Sequence, residues 1–126
     1  MRSFSLLGML LVTAVSVMGQ QTVEKRVPLT DTALAMDRAG ATVLEGTLKT
    51  TSLHGSPDSP VTNIRVVLRN PTNISYAFVS GLVTFYDASG VRCGEGIFKA
   101  DALLNDESFE TDTPGSRIRC SPATWR

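Results

Sequence analysis

Ile74-Ser75-Tyr76-Ala77-Phe78-Val79-Ser80-Gly81-Leu82-Val83-Thr84-Phe85-Tyr86-Asp87 is the stretch on which the fold turns. It carries no charge before Asp87, and both of its alternating faces are apolar. Tyr76, Phe78, Leu82 and Tyr86 fall on one face; Ala77, Val79, Val83 and Phe85 fall on the other. A period of two is the mark of a β-strand. A strand apolar on both sides belongs in the middle of a sheet or reaches a second layer. Gly81, in its middle, is expected to mark a bulge or bend. Asp87-Ala88-Ser89-Gly90 then reads as a type I turn with glycine at the positive-φ position, so a hairpin partner is expected over Val91–Lys99.

The same period extends to either side. Ile64, Val66 and Leu68 alternate with Arg65, Val67 and Arg69, a half-buried strand whose outer face is mainly basic. Further upstream, Leu44, Gly46, Leu48 and Thr50 alternate with Val43, Glu45, Thr47 and Lys49. Between these strands, His54-Gly55-Ser56-Pro57-Asp58-Ser59-Pro60 is a loop by its turn residues. Downstream, residues 102–107 connect to a strand over 108–113, Pro114-Gly115 turns the chain, and Arg117–Cys120 forms a last strand before Ser121-Pro122. Ahead of all these, Gln20–Leu29 is extended up to the break at Pro28. Thr30-Asp31 offers a cap for a short helix over Thr32–Ala39 that stops at Gly40, with a loop as the alternative. Six or seven short strands at this spacing imply an all-β chain folded as one antiparallel β-sandwich. The expected order is a leader over 1–19, an N-terminal extension over 20–40 and the sandwich over 41–126.

The leader is read from Met1-Arg2-Ser3, the apolar run Phe4–Met18 and the small residues Val17 and Gly19, the parts of a secretory signal peptide. Cleavage is expected between Gly19 and Gln20. An uncleaved anchor is the rival, but crossing a bilayer takes about 20 apolar residues; Leu6–Met18 offers thirteen, interrupted by Gly8, Thr13 and Ser16. The mature chain is therefore expected to be soluble, with no stable membrane insertion. Twelve Lys/Arg balance twelve Asp/Glu and are dispersed singly, so no basic stripe is available for nucleic acid. Two cysteines, Cys93 and Cys120, are expected to form one structural disulfide in an oxidising compartment. On the chain-entropy argument such a loop contributes roughly 3–4 kcal/mol.

From Ile64 to Pro114 the order of features resembles the FxLYD domain and kindred immunoglobulin-like sandwiches of bacterial envelope proteins. An alternating strand ends in Asn70; Val83-Thr84-Phe85-Tyr86-Asp87 runs into the Ser89-Gly90 turn; and a Leu103-Leu104 connection precedes a strand opening on Phe109. Tyr86 and Asp87 match the last two positions of the name-giving motif, whereas Val83 and Phe85 replace its Phe and Leu. The resemblance implies a fold and an exported or surface setting, and brings no catalytic residues. The Cys-Trp-Cys order of antibody domains is absent, since Trp125 follows both cysteines. The disulfide is therefore expected to tie the hairpin strand to the C-terminal strand.

Residues able to carry chemistry are few. His54 sits in its Gly/Ser/Pro loop without a nucleophile signature such as Gly-x-Ser-x-Gly, and reads as a solvent-exposed histidine. Zinc or copper would need a His/Cys cluster that the chain lacks. Asp101, Asp106, Glu107, Glu110 and Asp112 offer oxygens of the kind calcium takes, but they fit no EF-hand spacing and read as a solvated acidic rim. Cys93-Gly94-Glu95-Gly96 lacks the Lys-Ser/Thr of a phosphate loop. Asn73-Ile74-Ser75 is a glycosylation sequon whose meaning depends on the host. Glu45, Asp87 and Glu95 have nothing in the sequence to pair them as glycosidase carboxylates.

The expectation is a non-catalytic exported module, without cofactor, that binds an envelope protein or a glycan through a sheet face or through loops such as His54–Pro60. The alternative is a structural subunit of a surface or fibre assembly. Strand donation by the N-terminus is disfavoured, because Val23, Val27 and Leu29 share their parity with Lys25 and Asp31.

Overall fold

The computed structural model describes residues 25–126; the expected leader and its Gly19–Gln20 boundary lie outside the described residues. In chain order the strands are β1 (Val27–Pro28), β2 (Ala33–Met36), β3 (Thr42–Leu48), β4 (Arg65–Arg69), β5 (Tyr76–Tyr86), β6 (Arg92–Leu103), β7 (Ser108–Asp112), β8 (Arg117–Ile118) and β9 (Thr124–Trp125). They make two antiparallel sheets, one ordered β1-β9-β5-β6-β8 and the other β2-β3-β4-β7. The fold is an all-β sandwich. Its core lies between the sheets, where Val66, Phe85, Leu103, Ile118 and Trp125 are almost wholly removed from water.

The sequence suggested a helix over Thr32–Ala39, and the structure corrects this. Ala33–Met36 is a strand paired with β3, and no helix occurs among the described residues. Asp37 decides the matter: its Oδ1 accepts the amides of Ala39 and Ala41 at 2.9 and 3.0 Å, while Gly40 takes φ 85°. Those bonds close a tight turn and leave no helical ladder. Ala33 faces the core and Leu34 faces water, so the short alternation was a strand's. The segment read as an N-terminal extension thus gives β1 to one sheet and β2 to the other.

The β5–β6 hairpin forms around the expected turn. Asp87 Oδ1 accepts the amides of Ser89 and Val91, and Gly90 takes φ 81°. β6 continues to Leu103, beyond the expected end at Lys99. Gly81 does not mark a bulge: the register runs unbroken through Gly81 opposite Phe98, and the shift lies between Phe85 and Tyr86. What needs glycine at 81 is the Phe98 ring, which lies across it and would collide with a Cβ. Ala102, at φ 60°, changes which residues face inward, from Phe98 and Ala100 to Leu103.

Cys93 and Cys120 are joined as a disulfide, with Cα atoms 5.9 Å apart. The bridge links β6 to the segment after β8 within one sheet, where Arg119 N also donates to Cys93 O at 2.9 Å. This is the hairpin-to-C-terminal tie expected from the sequence.

Candidate functional site

The most distinctive site is built on β5, which is a central strand at one end and an edge at the other. At Phe85 and Tyr86 it is flanked by β6 on one side and β9 on the other. Thr84 exchanges two backbone hydrogen bonds with Arg126, at 2.9 and 3.0 Å, the last pairing on that side among the described residues. In an antiparallel ladder alternate residues bond to alternate neighbours. Since Thr84 bonds toward β9, Leu82, Ser80 and Phe78 turn their amides and carbonyls the same way. Among the described residues those groups have no ladder partner.

The opposite sheet continues beneath this vacant lane. β9 shows what lies under it: Trp125 points inward over Gly46, where a Cβ would come within 3.2 Å of the indole, and its Nε1 donates to Asp31 O at 3.2 Å. Ala33 pairs with Gly46, and Ala35 with Leu44. Beyond Trp125 the lane therefore runs over Ala35 and Leu44, where an open groove of about 860 Å³ lies between the sheets. Val79, Gly81 and Val83 form its β5 wall. Arg126 is the one lining residue whose side chain is charged at neutral pH.

The outer surface beside the lane is apolar as well. Phe78, Leu82 and Ile97 are 56%, 54% and 58% exposed, and Leu82 stands directly opposite Ile97 in the β5–β6 register. Natural edges are usually guarded by charge, proline or a bulge. From Tyr76 to Tyr86 this strand has none at its open end.

The residues singled out in the sequence lie elsewhere. His54 Nδ1 is 3.3 Å from Ser121 Oγ in an exposed pair, and among the described residues no carboxylate bonds the ring. The His54–Pro60 loop is fastened: Gly55 N donates to Cys120 O at 2.9 Å, and Ser56 and Ser59 bond each other through their backbones. The acidic stretch over 101–112 is divided by its partners. Arg65 takes Glu110 and Asp112, at 2.7 and 3.3 Å, while Arg69 takes Glu45 and Asp106. Hydrogen bonding by Glu110 raises the Arg65 guanidinium above its ordinary pKa, and Glu45 does the same for Arg69. Glu107 instead accepts from the Leu104 amide at 2.8 Å. The basic outer face of β4 is thus ion-paired with Asp106, Glu110 and Asp112 of the rim and with Glu45. Among the described residues no three His, Cys, Asp or Glu side chains group as metal ligands. Asn73 is exposed in the bend before β5.

Sequence reasoning missed the half-open edge. Its trace was present in the uncharged run over residues 74–86, which was read as central in its sheet or reaching a second layer. The missing signal was β9, a two-residue strand beyond Pro122 that covers only one end of β5. Comparisons with family models, with curated proteins and with solved structures yield no match to this chain.

Proposed function

We propose that this chain is an exported, non-catalytic interaction module of the cell envelope. The observation that carries the reading is the uncharged, half-open edge of β5 standing over an apolar groove. An unguarded edge of this kind is a template for pairing with another chain. Export is supported by the leader-like sequence over 1–19 and by the Cys93–Cys120 bridge, which suits an oxidising compartment. The FxLYD-like order of features over Ile64–Pro114 supports the same setting.

The test is affinity capture from the producer's envelope extract with oxidised mature protein as bait, and with a reduced, alkylated sample as the unfolded control. A saturable protein or glycan ligand held only by the oxidised bait supports the module. Capture of the chain by itself alone would favour a structural subunit. Retention of nothing would overturn the reading. Amino-terminal sequencing of the exported protein checks the compartment: export with cleavage predicts a start at Gln20.

A further inference from the structure

We infer that the outer face of the β1-β9-β5-β6-β8 sheet, at the end holding Arg92, Arg117 and Arg119, binds an acidic polysaccharide through its carboxylates. The inference rests on the exported-module reading and names a partner for it, at a surface separate from the β5 edge.

The sequence scatters these arginines and the fold gathers them. Ile118 is wholly buried, so Arg117 and Arg119 on either side of it point out from the same face. Arg119 N donates to Cys93 O, which sets Arg119 beside Cys93 and its neighbour Arg92. The Cys93–Cys120 bridge fastens the two segments that carry them. Tyr86 stands opposite Arg92 in the β5–β6 register, and Arg26 and Arg126 lie 3.6 and 5.7 Å from its ring centroid, adding guanidinium groups to the same end. Arg65 and Arg69, on the other sheet, are each held by two carboxylates. Among the described residues Arg92, Arg117 and Arg119 have neither an ion pair nor a side-chain hydrogen bond. Glu95 is opposite Arg117 in the β6–β8 register without pairing to it, Asp87 is occupied by its turn amides, and Asp58 lies exposed in the neighbouring loop. The sequence over 1–24 contains one arginine and one glutamate, so it leaves this positive excess unchanged.

Like charges held side by side on a sheet repel each other, and a polyanion laid across them removes that cost. A guanidinium fork takes both oxygens of a planar carboxylate. The surroundings favour sugar as the carrier of those carboxylates. The His54–Pro60 loop is joined to this edge by Gly55 N to Cys120 O at 2.9 Å and by the Val61–Ile118 bridge. It brings Ser56, Ser59 and the exposed His54–Ser121 pair, groups able to exchange hydrogen bonds with hydroxyls. Single-stranded nucleic acid would want exposed rings on which to stack its bases, and Tyr86 at this end is only 3% exposed.

The experiment measures binding of the full oxidised mature protein to polygalacturonate, with neutral dextran, single-stranded DNA and phosphatidylglycerol vesicles as comparisons. The account expects saturable binding to polygalacturonate that weakens as salt is added, and none to dextran. With folding confirmed by near-ultraviolet circular dichroism, Arg117→Gln combined with Arg119→Gln should weaken binding by at least about tenfold. Arg65→Gln combined with Arg69→Gln makes the same change in net charge on the other sheet and should leave binding within about twofold. Should the first pair fail to fold, nuclear magnetic resonance on the unaltered protein decides: polygalacturonate should shift the Nε–H signals of Arg92, Arg117 and Arg119. No binding to polygalacturonate, equal losses in the two double variants, or arginine signals that stay in place would overturn the inference. Binding to the DNA or the vesicles alone would overturn it too. A saturable envelope protein captured while polygalacturonate is not bound would remove the polysaccharide and leave the module standing. Polygalacturonate bound at these arginines by a chain that is not exported would support the site and remove the module reading.

Discussion

Replacing Asn70 by alanine would remove the most connected buried side chain of the loop leading into β5. Its Nδ2 donates to the carbonyls of Ile74 and Leu103 at 2.7 and 3.2 Å, and its Oδ1 accepts from Thr72 N and Thr72 Oγ1 at 2.9 and 2.6 Å. The side chain is fully buried, so its loss strands groups that water cannot reach. Asn70→Ala should lower stability by about 2–3 kcal/mol in urea unfolding; an unchanged midpoint would contradict this role. Gly81→Val should cost roughly 1–3 kcal/mol, because the Cβ must displace the Phe98 ring. A variant that also carries Phe98→Ala should show less than the sum of the two separate losses, since the obstructing ring is gone. Neither role was legible beforehand. Asn70 looked like the residue that ends a strand, and Gly81 like a bulge, because sequence shows which residue types are present but not which ring lies across which glycine.

At the scale of elements, the two Asp-x-x-Gly turns explain both a success and an error. Asp87-Ala88-Ser89-Gly90 was read as a turn because clear strands flank it. Asp37-Arg38-Ala39-Gly40 has the same aspartate and glycine and makes the same bonds, yet its alanine-rich approach suggested a helix. Tertiary pairing with β3 overrides that weak helical propensity. The shared motif was the available signal. Asp37→Ala and Asp87→Ala each remove one carboxylate oxygen that takes two amides, and each should cost about 1 kcal/mol. Similar losses in parallel denaturation curves would confirm one turn design used twice; a loss at only one site would refute it. The hairpin, β3, β4 and β7 followed from period two and turn residues. β8 lies within the last strand expected over Arg117–Cys120, whereas β1 and β9 did not follow, because strands of two residues carry no period and exist only through their neighbours.

For the whole molecule, the bridge and the open edge have opposite effects. The disulfide closes a 27-residue separation and fastens β6 to the segment after β8. Reduction should lower stability by roughly 3–4 kcal/mol and shift thermal unfolding downward. An unchanged unfolding temperature after complete reduction would show that packing alone holds this edge. Across the sandwich, the Phe78–Leu82 half of β5 has β6 as its one strand neighbour among the described residues. The composition could not reveal this, since it depends on which residues pair with β5 on the β9 side. The claim that β5 is an edge over Phe78–Leu82 is tested most directly by residue-resolved hydrogen exchange on the free mature protein. The account predicts fast exchange at Phe78, Ser80 and Leu82, beside slow exchange at Val79, Gly81 and Val83, which bond to β6. Uniform slow exchange along β5 would contradict the account, because the lane would then already be filled.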